Sequence, residues 1–241
     1  ELARKRESVM PLLLGLLLDD SDAAVRGHQH SEILARLGQP VAQAAESLRA
    51  GPLLTLHPMH RLPLAALAFP VLRLRPRPEL ESFLDTVHAV VHTDNHVSLF
   101  EYCLGQLLET QVRESLNPAA HARFGRRKPV AVKREFSILL AVVAQAGHRD
   151  PDEARRAYLA GLQRVLPRDH VPYQPPANGV LALDEVWDPL DRLDPLAKQL
   201  VVEALTAAAM HDGRVTVAEA ELLRTICGVL HCPLPPMLEQ Q

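Results

Sequence analysis

Two stretches of this chain, 118 residues apart, spell the same interruption of a helix, and that repetition constrains the fold more than any other feature. The first reads His92-Thr93-Asp94-Asn95-His96-Val97-Ser98-Leu99-Phe100-Glu101 and the second Met210-His211-Asp212-Gly213-Arg214-Val215-Thr216-Val217-Ala218-Glu219. Asn95 and Gly213 are residue types that tolerate the left-handed backbone which stops a helix. Ser98 and Thr216 are N-cap residues, and Glu101 and Glu219 follow three positions later, so each copy carries a capping box. The structural-capping set is therefore Asn95, Ser98, Glu101, Gly213, Thr216 and Glu219. Each copy encodes a tight helical corner.

Apolar stripes extend the agreement on both sides. Leu104, Leu108 and Val112 match Leu222, Ile226 and Leu230 at the i, i+4, i+8 spacing of one helical face. Upstream, Leu84, Val87 and Val91 match Val202, Leu205 and Ala209, and Phe69 and Leu72 match Trp187 and Leu190. The expected fold class is all-α, an array of about nine helices with an internally duplicated helix–turn–helix unit. Leu and Ala dominate, which favours helices because such side chains lose little rotamer freedom there. Aromatics are 4% of residues, so the core should be aliphatic.

Turn and cap residues place the remaining elements. Helices are expected from Ser8 to Leu18, from Ala23 to a stop at Gly38, and from Val41 to a stop at Gly51-Pro52. Others should cover Leu64 to Leu74, Glu79 to Thr93, Leu99 to Leu116, Val130 to Ala146 and Pro151 to Leu166. Pro167 to Gly179 holds four prolines and no periodicity, and reads as a linker. Leu193 to His211 and Val217 to Leu230 close the chain. The expected organisation is an N-terminal helical segment over 1–60 packing on the core, a first unit with its following helices over 61–166, the linker 167–179, and a second unit over 180–241.

Charge and composition narrow the function classes. A net charge of −3 and a pI near 6.5 provide no electrostatic footprint for nucleic acid. Cys103, Cys227 and Cys232 are too few and scattered for a disulfide framework. The apolar run Val9 to Leu18 is about half the ~20 residues a membrane-spanning helix needs. The chain starts Glu-Leu-Ala-Arg-Lys-Arg, which reads as the start of a piece of a longer protein or of a processed one.

No catalytic residue and no cofactor-binding residue is assigned, for there is no Gly-x-Ser-x-Gly elbow, no phosphate-cradling glycine loop and no His-Glu-x-x-His. The reading for metals is also none. The candidate ligands that come nearest are His88 and His92, four apart on a helix, with Asp94 close by; His96 lies beyond the helix stop. Cys227, His231 and Cys232 gather soft ligands without a fourth. Asp94 with Glu101 and Asp212 with Glu219 lack the alternating oxygens of a calcium loop, and capping accounts for them. Arg126-Arg127-Lys128 reads as a solvated turn.

The corner resembles the TerB-like helical domains of the tellurite-resistance group, whose mark is a helix ending in an Asp-Gly-hydrophobic turn before a capped, Glu-bearing helix. Asn95 and His96 depart from that group's usual Gly and basic residue. Most of the chain is similar to the C-terminal cytoplasmic helical region of HtpX-like membrane zinc metallopeptidases, the family that includes the CAAX prenyl proteases. The similar phrases are Leu16-Leu17-Leu18-Asp19 with Ala24-Val25-Arg26, and Arg61-Leu62-Pro63-Leu64 running to Pro70-Val71-Leu72. Val97-Ser98-Leu99-Phe100-Glu101-Tyr102, and Ala146-Gly147-His148 with Asp150-Pro151, complete the set.

This resemblance implies a non-catalytic accessory or regulatory domain at the cytoplasmic face of the inner membrane. Zinc would belong to the parent's peptidase domain, and the partners would be protein: that peptidase domain, a protein substrate or a second copy. The membrane would be reached only through parent segments. The alternative is a free-standing TerB-like module for stress response or metal sensing.

Overall fold

The computed structural model describes residues 1–121 and 124–239. Among them the chain is all-α with no strand, and divides into two compact units, Glu1–His121 and Ala122–Gln241. Ten α-helices are of twelve residues or more, close to the nine expected.

The first unit contains α1 (Arg6–Leu17), α2 (Ala23–Leu37), α3 (Gln39–Ala50), α4 (Arg61–Leu72), α5 (Arg77–Val91), α6 (Leu99–Leu116) and the single turn α7 (Pro118–His121). Helix α1 is apolar on all sides and is the central rod: every residue from Val9 to Leu17 is buried. It packs on α3, α4 and α5, while α2 packs on α3 and α5, and α6 on α4 and α5. The α1–α3 contact is close, with the Ala45 carbonyl 3.0 Å from where a Cβ on Gly15 would stand.

Asp22 starts α2 by accepting the Ala24 and Val25 amides at 2.8 and 3.2 Å, and Gly38 ends it at φ 86°. Gln29, 1% exposed, ties three helices together. It accepts the Asp19 amide at 2.8 Å and donates to the carbonyls of Leu17 and Val90 at 3.2 and 3.3 Å.

The second unit contains α8 (Lys133–Gly147), α9 (Pro151–Val165), α10 (Trp187–Asp191), α11 (Pro195–Ala209), α12 (Val217–Leu230) and the turn α13 (Pro236–Glu239), with a 3-10 segment at Gly179–Glu185 before α10. Helix α9 lies along α11, and α8 touches α9, α11 and α12. Aromatic side chains join this core after all: Phe136 and Tyr158 are fully buried here, as Phe83 is in the first unit.

The division between units falls after His121, not inside 167–179. Helices α8 and α9, expected to follow the first unit, belong to the second because their apolar faces are covered by α11 and α12. Within residues 1–60, α1 is the rod on which the first unit is built. The proline-rich stretch is not a free linker. Tyr158 donates its hydroxyl to the Val171 carbonyl at 3.2 Å, the Tyr158 and Tyr173 rings are 5.4 Å apart, and Lys133 pairs with Asp169. Its irregular backbone is what four prolines without periodicity dictate; its attachment comes from side chains elsewhere.

The basic turn is also more than solvated. The Arg127 amide donates to the Arg192 carbonyl at 3.0 Å, and the Asp194 amide donates to the Arg127 carbonyl at 3.0 Å. Lys128 Nζ reaches Asp194 Oδ2 at 2.6 Å, and this ammonium, with the Ala197 amide, holds the Asp194 carboxyl below its ordinary value.

The stripes point inward. Leu104, Leu108, Val112, Leu222, Ile226 and Leu230 are all buried, as are Val87, Val91, Val202, Leu205, Ala209, Phe69, Leu72, Trp187 and Leu190. Leu84 is half-buried.

Candidate functional site

Helix α5 ends at Val91, and Asn95 takes φ 57°. Asp94 Oδ1 accepts the His96 amide at 3.1 Å, which folds the turn. Ser98 Oγ then accepts the Glu101 amide at 3.2 Å while Glu101 Oε2 accepts the Ser98 amide at 2.9 Å. The second corner repeats this bond for bond. Gly213 takes φ 78°, Asp212 Oδ1 accepts the Arg214 amide at 3.0 Å, Thr216 Oγ1 accepts the Glu219 amide at 3.2 Å, and Glu219 Oε2 accepts the Thr216 amide at 2.8 Å. Helix α11 has the same length as α5, and each carries a proline in its first turn.

The two capping carboxylates sit in different company. Glu101 is half-buried, and burial pushes its carboxyl above the ordinary value, with Asp94 and Asp19 adding repulsion. Glu219 is 1% exposed and also pushed up, first by burial. Its second oxygen, Oε1, lies 3.9 Å from His148 Nδ1 at the α8–α9 turn and has no hydrogen-bond partner.

His148 is buried too. Its Nδ1 is 3.0 Å from the Ala144 carbonyl, which can only accept, so Nδ1 carries the proton; Nε2 is unpartnered. Gly147 makes room for the carboxylate: a Cβ there would stand 1.7 Å from Glu219 Oε1. The His211 ring is 6.2 Å from that of His148, and its Nε2 is 3.9 Å from Glu153 Oε2.

The metal candidates of the first corner are placed differently. The His88 and His92 rings stack at 4.2 Å on the exposed side of α5, and His92 Nδ1 is 2.9 Å from the His88 carbonyl. Asp94 is committed to the turn. Cys227 is buried, its thiol pushed up to about 12 chiefly by burial. His231 ends α12 at φ 58°, and the Cys232 amide donates to the Cys227 carbonyl at 2.9 Å. Among the described residues no group of three or more His, Cys, Asp or Glu is arranged to hold a metal ion.

Asp19, in the Asp19 to Asp22 stretch that ends α1, folds the turn before α2. Its Oδ1 accepts the amides of Ser21 and Asp22 at 2.7 and 2.6 Å, and the Asp22 bond chiefly lowers its carboxyl. Sequence reasoning missed the His148–Glu219 centre. In the sequence, capping accounts for Glu219 completely, and Ala146-Gly147-His148 stands out only through the resemblance. The one available signal was a histidine just past a helix-terminal glycine, before the Asp150 cap.

No family model, no curated protein and no solved structure matches the chain.

Proposed function

We propose that this chain is a non-catalytic accessory domain of a membrane-bound zinc metallopeptidase of the HtpX-like kind, its two units being TerB-like helical repeats that make protein contacts at the cytoplasmic face. The observation that supports this reading is the corner, built twice from the same bonds, one copy in each unit. The phrases that carry the resemblance also fall on structurally decisive places. Arg61 to Leu72 is α4, Val97 to Tyr102 is the first corner, and Ala146 to Pro151 is the turn holding His148 against Glu219. Among the described residues no helix is long and apolar enough to cross a membrane, so in this reading the membrane anchor belongs to the parent.

The test is the full reading frame. An upstream His-Glu-x-x-His helix flanked by membrane spans supports the proposal, and a frame without them overturns it. Deleting the region in the parent should then reduce cleavage of protein substrates while leaving zinc content unchanged.

A further inference from the structure

The second corner buries two polar atoms for which the fold supplies no partner, Glu219 Oε1 and His148 Nε2. The other atoms of both side chains are engaged. Glu219 Oε2 takes the Thr216 amide and hydroxyl at 2.8 and 3.0 Å, and His148 Nδ1 donates to the Ala144 carbonyl. The side chains are 1% and 4% exposed, so bulk water does not solvate the charge.

Several effects act against a negative charge at Oε1. The oxygen is stripped of solvent. It lies against Gly147, the last residue of α8, where helix carbonyls carry partial negative charge. Asp212 on the same corner adds repulsion. The two Thr216 bonds to Oε2 and the nearby His148 pull the other way, and burial outweighs them.

No lysine or arginine of the neighbouring elements pairs with Glu219: Arg149 in the α8–α9 turn and Arg214 on the corner itself are exposed to solvent, and most of the other charges pair elsewhere. On α8, Lys133 and Arg134 stand at the far end and pair with Asp169 and Glu185, and Glu135 is beside them. On α9, Asp150 caps the helix and Arg156 pairs with Glu153, with Asp152 and Arg155 in the same exposed turns. On α10, Asp188 and Asp191 are held by Arg192 and Lys198, and on α11 Glu203 accepts from Gln199. The ion pair that Glu219 makes among the described residues is with His148. From there His211 and Glu153 continue outward, at 29% and 42% exposure, so titratable groups run from the buried carboxyl to the surface.

We propose that this corner is a proton-operated latch: uptake of one proton by the Glu219–His148 pair secures the first turn of α12 against the α8–α9 turn, and loss of that proton loosens it. The sign follows from the carboxyl. A group raised in the folded state adds stability below its unfolded value, and that stability is lost as pH rises through the folded value. The latch is tight in mild acid and slack in base, whatever protein the chain belongs to.

Trp187, the chain's single tryptophan, is buried on α10 against α12 and reports on this unit. Its emission and the denaturant midpoint it reads would be followed from pH 4, near the ordinary carboxyl value, up to pH 9 in the full chain, in Glu219→Gln, and in His211→Asn. The native protein should lose midpoint as pH rises and shift its emission, Glu219→Gln should be flat, and His211→Asn should keep the transition. A native profile without a transition overturns the latch. So does a transition that survives in Glu219→Gln, or one that His211→Asn abolishes. Should circular dichroism show Glu219→Gln unfolded, His148→Gln supplies the second reading: the transition must move along the pH axis, and an unmoved one overturns the proposal.

Discussion

Asn95 and Gly213 perform one task with different backbones, and substitutions at each should show it. Gly213→Ala puts a Cβ into the left-handed region and should cost about 1–2 kcal/mol in chemical denaturation, whereas Asn95→Gly should be neutral or slightly stabilising. Removing either cap hydroxyl, Ser98→Ala or Thr216→Ala, should cost about 1 kcal/mol. Two carboxylates of the first unit act with opposite signs. Asp19 is held below its ordinary value by amide donors, so its contribution is present above that value and is lost as pH falls through the depressed one. Glu101 is raised by burial, so its contribution is greatest below its ordinary value and fades as pH rises through the elevated one. Denaturation across pH 2–7 should therefore lose part of its acid limb in Asp19→Asn. An acid limb identical to that of the native chain would show that the two amide bonds do not hold that carboxyl.

At the scale of elements, the closest packing is between α9 and α11. A Cβ on Gly161 would meet Leu140 Cδ1 at 2.6 Å and the Ala204 carbonyl at 2.8 Å. Because Ala204 offers backbone, which cannot swing away, Gly161→Ala should destabilise the second unit by about 1–3 kcal/mol, as overpacked cores do; an unchanged melting curve would place these helices further apart. Gln29→Leu should cost a similar amount in the first unit, since it removes the partner of the part-buried Asp19 amide and the buried bonds to the Leu17 and Val90 carbonyls. Helix ends were legible because Asp22, Gly38, Ser98, Asp150 and Thr216 each use a local rule. What lay beyond the sequence depended on distant partners. Nothing near Gln29 names Val90, and nothing near Glu219 names His148. A second correspondence was hidden by a change of spacing: α2 and α9 are both fifteen residues long and both Asp-capped, but they are offset by ten residues more than the corners are. A fixed slide of the chain against itself passes over it.

At the scale of the molecule, each unit closes its own core, the first around α1 and the second around α8, α9 and α11. Residues 1–121 and 122–241 expressed apart should each give helical circular dichroism and a cooperative melt; a half that stays unfolded alone would show that its core needs the other. Zinc or calcium should leave the melting temperature of the whole chain where it was, because binding to the folded form alone would raise it; a rise with stoichiometric metal would favour the sensing alternative. The two units share the corner but differ in what lies between the Asp-capped helix and the stretch leading to it. In the first that place is filled by the rod α3, packed on α1; in the second it is an extended run of prolines fastened through Tyr158 and Lys133. An antibody raised to this flank of one half should therefore not cross-react with the other, even though both halves carry the same corner.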